Sequence, residues 1–111
     1  MDKKALIIAD AEVIRKSLAK VIELIIFEVC DCSHEDALVT FQTYKPTHVI
    51  VCDYYESNVS EELNKGRKTL SLINFDNVKV IKIGLEEIPN DENYLKLPFV
   101  LPQLYQLLLV E

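Results

Sequence analysis

The stretch Thr47-His48-Val49-Ile50-Val51-Cys52-Asp53-Tyr54-Tyr55-Glu56 decides how the 111-residue chain is read. Residues His48 to Cys52 run without a charge and end on the carboxylate of Asp53. A short continuous apolar run fits a strand covered on both faces, the pattern of a parallel sheet. In such sheets ligands and chemistry gather beyond the carboxyl ends of the strands, so Asp53 is the first candidate site residue.

Working outward, the same pattern occurs at the start of the chain. Ala5 to Ala9 (ALIIA) is a second apolar run, and it too ends on an acid, Asp10. From Glu12 the period changes to that of a helix, with Ile14, Leu18, Val21, Ile22 and Ile25 on one face and Arg15, Lys16 and Lys20 on the other. Phe27 to Cys32 reads as a strand. Ser33 is the expected N-cap of the next helix, with Glu35 and Asp36 in its first turn and His34 beside them. Ala37, Leu38 and Phe41 supply that helix's apolar face, and Lys45-Pro46 ends it. A third helix is expected over about Glu61 to Asn74, on Leu63, Leu70 and Ile73, with Gly66 as an interruption. Val78 to Ile83 and Tyr94 to Leu97 read as strands, and Pro102 opens a last helix carrying Leu104, Leu107 and Leu108.

Strands alternating with helices define an α/β chain, a doubly wound five-stranded parallel sheet with right-handed crossovers. In the strand order 2-1-3-4-5 the first and third strands are neighbours at the switch point, so Asp10 and Asp53 share one crevice. Two adjacent carboxylates repel unless a cation lies between them. Mg²⁺ suits such a pair, since it takes one or two carboxylates and keeps its waters for phosphate oxygens. An Asp beside a cation can also carry an acyl phosphate as a nucleophile. The plainer alternative is that both acids cap the loops or helices that follow them.

Composition narrows the function classes. The length fits one domain, residues 1–111. No apolar run approaches the roughly 20 residues that cross a bilayer, and the apolar stretch after Lys3-Lys4 is too short for a signal peptide. A net charge of −6 opposes nucleic-acid binding but is compatible with a basic protein partner. Cys30, Cys32 and Cys52 form neither a disulfide framework nor a zinc-like set, which points to reduced thiols in the cytoplasm.

The chain resembles the receiver domains of bacterial response regulators (the CheY-like family) through LIIAD with Arg15, PTHVIVCD, and YLKLPF at 94–99. The resemblance covers nearly the whole chain and implies the flavodoxin-like receiver fold. It puts Asp53 on the phosphorylated aspartate and Asp10 on the second member of the acidic pair, the direct Mg²⁺ ligand. Tyr55 falls on the residue whose backbone carbonyl completes the metal site, Pro98 on the proline after a cis peptide bond, and Tyr94 on the aromatic switch residue. The departures are as informative. Ala9 stands where the first acid belongs, Gly84 where a phosphate-binding hydroxyl belongs, and Leu97 where the family has its lysine. Lys96 lies next to Leu97 but on the opposite strand face, whereas Lys82 shares a face with Gly84 and is the better placed substitute. Residues 85–93 are too short and too broken by Pro and Asn for the family's fourth helix, which is therefore shortened or missing.

Without the hydroxyl and the lysine, phosphorylation would be slow, because losing one preorganised donor costs on the order of 10² to 10³ in rate. The expected function is that of an atypical receiver in two-component phosphorelay signalling. It acts mainly as a protein-interaction module, not as an enzyme, with weakly held Mg²⁺. Tyr105, Leu109 and Val110 on the solvent side of the last helix are the expected contact residues, on a face running from strand 4 to that helix. That face would meet a protein partner or output domain, with a homodimer and a histidine kinase as further partners. The first alternative is a receiver still phosphorylated on Asp53 with altered kinetics. The second is an unrelated doubly wound enzyme or nucleotide-binding domain, disfavoured because Asp10-Ala11-Glu12 stands where a glycine-rich phosphate loop would. His34 and His48 are expected to play no part in phosphate transfer.

Overall fold

The computed structural model describes residues 3–25 and 28–110. Five strands, β1 (Lys4–Ile8), β2 (Glu28–Cys32), β3 (His48–Val51), β4 (Lys79–Gly84) and β5 (Tyr94–Lys96), form one sheet in the order β2-β1-β3-β4-β5. All four pairings are parallel, and the register sets Ile8 opposite both Cys32 and Val51. The helices are α1 (Glu12–Glu23), α2 (Ala37–Tyr44), α3 (Lys65–Leu72) and α4 (Leu101–Leu109). Phe27, read as the start of strand 2, and Glu111 lie outside the described residues.

The alternation of side chains along the strands divides the core in two. Ala5, Ile7 and Ala9 of the first strand segment join Ile50, Ile81 and Ile83 under α1 and α4, which contribute Leu18, Ile22, Leu104 and Leu108. Leu6 and Ile8 point the other way, with Val49 and Val51, against Ala37 of α2 and Ile73 after α3. Each such side chain, once buried, stabilises the fold by about 1.5–3 kcal/mol. Both faces are covered, so the strands read as unbroken apolar runs. No helix among the described residues is long and apolar enough to cross a membrane.

Local chemistry moves several element boundaries. Helix α2 begins at Ala37, not after Ser33, because residues 34–36 form a turn. The helix ends at Lys45, whose φ of 55° takes the left-handed conformation ahead of Pro46. Helix α3 begins at Lys65, four residues later than expected. Its cap is the buried Asn64, whose Oδ1 accepts from the N–H groups of Arg67 (3.2 Å) and Tyr55 (3.1 Å), while its Nδ2 donates to the Tyr55 carbonyl (2.9 Å). Leu63, expected on the apolar face, therefore precedes the helix and is 60% exposed. Gly66 is an anchor and not an interruption. A Cβ there would stand 2.7–2.9 Å from Cys52 O, Asp53 O and Tyr54 Cα, closer than packed atoms allow. Residues 85–93 contain no helix, which leaves β4 and β5 joined by turns. The Leu97–Pro98 peptide bond is cis.

Candidate functional site

The crevice forms at the carboxyl rim of β1 and β3. Asp10 follows β1 and Asp53 follows β3, and the Asp10 N–H points at Asp53 Oδ2 across 3.4 Å. The strand order thus brings the two acids together. Asp53 has φ 59°, a left-handed geometry that Asp tolerates better than most residues. In that geometry its carbonyl accepts from the Gly66 N–H at 3.0 Å, which ties the end of β3 to the first turn of α3.

Protein donors already occupy the carboxylates. Asp10 Oδ1 accepts from the His34 backbone N–H at 3.0 Å, and Asp10 Oδ2 from the Lys65 ammonium. Burial pushes the Asp10 carboxyl up, but the Lys65 and His34 hydrogen bonds outweigh it and hold the group below its usual range. The same contact raises the Lys65 ammonium. Asp53 Oδ2 lies 3.1 Å from His34 Nε2, and the other ring nitrogen, Nδ1, is 2.7 Å from Thr69 Oγ1 on α3. A neutral imidazole carrying its proton on Nε2 satisfies both contacts: the Thr69 hydroxyl donates to Nδ1, and Nε2–H donates to the carboxylate. The His34 side chain is 6% exposed, so the ring is a fixed wall of the crevice. The expectation that His34 stands away from phosphate chemistry is corrected by this geometry. His48 does lie at the opposite end of its strand, against Thr47.

Arg15 is also placed differently from the sequence reading. It turns away from the solvent side of α1 and donates to the carbonyls of Ala9 (2.9 Å) and Asp10 (3.2 Å), with its Nε on Asp31 at 3.1 Å. Ala9 offers the crevice no carboxylate, and its carbonyl is taken by the Arg15 guanidinium.

The residues expected to hold Mg²⁺ were Asp10, Asp53 and the Tyr55 carbonyl. Here Asp10 is paired with Lys65, Asp53 with His34, and the Tyr55 carbonyl with Asn64. The set as arranged does not fit a resident divalent ion, because an ammonium stands on the carboxylate that should bind it. Among the described residues there is also no group of three or more His, Cys, Asp or Glu side chains arranged to hold a metal.

The switch positions have their own geometry. A Cβ on Gly84 would run into the Tyr54 carbonyl and stand 3.0 Å from the Tyr94 hydroxyl. Tyr54 is held there by its N–H bond to Ile83 O at 3.2 Å. The backbone therefore excludes a hydroxyl side chain at position 84. Tyr94 is buried and its hydroxyl donates to the Glu86 carbonyl. The Glu86 carboxylate in turn accepts from the N–H groups of Glu56 (2.8 Å) and Ser57 (3.0 Å) and from the Ser57 hydroxyl, strapping the loop after β3 to the segment after β4. Lys82, the expected lysine substitute, pairs with Asp91 and lies 5.1 Å from the centre of the Tyr54 ring. Lys96 pairs on the surface with Glu87, and Leu97 packs against the core.

At the last helix, Val100 and Leu101 are exposed at its start and Leu109 and Val110 at its end, and Leu85 is exposed after β4. Tyr105 is not among the exposed residues: it is half-buried and its hydroxyl donates to Val21 O of α1 at 2.9 Å.

The sequence reading sets His34 aside and does not single out Lys65 or Thr69. The signal for His34 is its place two residues beyond β2, on the same rim as both acids. Lys65 and Thr69 become visible only once α3 is known to start at Lys65, behind its cap Asn64.

With this sheet order and rim geometry, the chain has the fold of response-regulator receiver domains. It is similar to the CheY-like receiver domain from Methylobacillus flagellatus (TM-score 0.69, 18% identity, 97% of each chain). It is also similar to chemotaxis protein CheY4 of Vibrio cholerae (TM-score 0.68, 17% identity, 96% of this chain and 95% of that one). A third similar structure, the anti-anti-sigma factor PhyR from Bartonella quintana (TM-score 0.72, 19% identity), is matched over 97% of this chain and 46% of its own. No protein-family model and no curated protein sequence matches the chain.

Proposed function

We propose that this chain is an atypical receiver of two-component signalling that works as a protein-binding module, with phosphorylation of Asp53 impaired. The observation that carries this reading is the pairing of both crevice acids with protein donors, Asp10 with Lys65 and Asp53 with His34. Phosphoryl transfer to an aspartate depends on charge neutralisation by a cation and on donors to the phosphoryl oxygens. Here the position of the hydroxyl donor is filled by Gly84 and that of the lysine by Leu97. The partner surface in this reading is the face from β4 to α4, where Leu85, Val100, Leu101, Leu109 and Val110 are each exposed and residues 85–93 contain no helix. The net charge of −6 favours a partner with basic residues around its apolar contact, in the cytoplasm.

A second reading, a receiver phosphorylated with altered kinetics, is favoured by one feature: the Asp53 side chain is 37% exposed and open to a small donor. The two are separated by incubating the chain with acetyl phosphate and Mg²⁺ and weighing the intact protein. The first reading expects no phosphoryl adduct. A near-complete adduct that disappears in Asp53→Asn establishes the second instead.

A further inference from the structure

We propose that Lys65 and His34 form an internal latch that replaces the divalent cation of the crevice. The Lys65 ammonium neutralises Asp10, and the His34 imidazole caps Asp53, so the two acids sit side by side without a metal. This rests on the preceding reading that Asp53 phosphorylation is impaired, and it supplies a cause for it.

Three features converge. Asp10 accepts on both oxygens, from the His34 N–H and from Lys65, so a metal would have to share these oxygens with a neighbouring positive charge. Lys65 stands at the first position of α3, and the Gly66 N–H bond to Asp53 O fixes that helix end over the crevice. The His34 ring is held from behind by Thr69, a buried residue of the same helix. Both cationic or donor groups are thus positioned by α3, and α3 is itself anchored to β3 through the close approach that only a glycine at 66 permits. Glu35 and Asp53 also face the ammonium and favour its charged form. The Lys65 side chain is 48% exposed, so solvent screens it in part, but an ammonium on one carboxylate still opposes a dication on the pair by direct repulsion.

The test is Mg²⁺ binding by calorimetry on the full chain, together with Mn²⁺ broadening of the amide resonances of residues 9–11 and 52–54. Lys65→Met keeps the stem and removes the charge. It is expected to bind Mg²⁺ about tenfold more tightly than the wild type, as expected for removing one neighbouring positive charge from a carboxylate. Lys65→Arg, which keeps the charge, should bind as weakly as the wild type, a result that a merely structural role for the side chain does not require. Adding His34→Gln to Lys65→Met should tighten binding further. Equal Mg²⁺ affinity in the wild type and Lys65→Met overturns the latch, and a double variant no tighter than the single removes His34 from it. These outcomes are independent of the acetyl phosphate result: equal affinities with no adduct overturn the latch alone, whereas an adduct on the wild type overturns the reading beneath it.

Discussion

Gly84 shows how one residue carries two consequences. It leaves no hydroxyl at the end of β4, and the Tyr54 carbonyl fills the space a Cβ would need. Placing a hydroxyl there is therefore opposed by the backbone. Gly84→Ser should destabilise the chain by about 1–3 kcal/mol, the usual cost of overpacking, measured as a lower urea midpoint with unchanged slope. It should also leave the response to acetyl phosphate unchanged. A neighbouring residue gives a second prediction. Burial pushes the Cys52 thiol up to about 12 and the Cys32 thiol up to about 11. The thiolate is the reactive form, so at neutral pH both should resist iodoacetamide in the folded chain and react once urea unfolds it. Rapid labelling of Cys52 under native conditions would contradict the packing of β3 under α1 and α4. The acids at the strand ends were legible in the sequence because an apolar run stopping on a charge marks a strand leaving the core. The role of Gly66 was not legible, since its reason is a backbone 13 residues earlier in the chain.

Elements differ in how much of their position local sequence decides. The strands follow from their apolar runs, and the order β2-β1-β3-β4-β5 follows from chain alternation and the handedness of crossovers. The start of α3 does not, because its cap Asn64 is chosen by hydrogen bonds to Tyr55, on the far side of a loop. The segment between β4 and β5 has no helix to hold it and depends on polar contacts, chiefly Glu86 with the loop after β3 and Lys82 with Asp91. Burial raises the Asp91 carboxyl, but the Lys82 hydrogen bond and the Asn93 N–H lower it more, leaving it below its ordinary value of 3.8. A carboxyl lowered by folding adds stability above its unfolded value, and that stability is lost as pH falls through the folded value. Thermal melts of the wild type should therefore fall more steeply than those of Asp91→Asn as pH drops below about 3.8. Parallel curves would show that the pair does not tie this segment down.

At the scale of the whole molecule, the fold and the crevice have different histories in the sequence. The doubly wound sheet is dictated by patterns spread over the chain, so single departures such as Ala9, Gly84 and Leu97 leave it intact. The crevice depends on which side chains happen to meet at its rim, and His34 and Lys65 reach it from α2's approach and α3's first turn. Neither lies within a motif, which is why the internal pairing of Asp10 and Asp53 emerges only from the folded arrangement. In the proposed reading this pairing holds the crevice and its loops in one state regardless of metal or phosphoryl group. The direct measurement is the amide NMR spectrum of the chain titrated with Mg²⁺ and beryllofluoride, a mimic of the phosphoryl group. If the pairing holds, the resonances of residues 53–57, 84–87 and Tyr94 stay in place. Saturable shifts across these three segments, with a Tyr94 ring that changes environment, would show a working phosphoryl switch and contradict it.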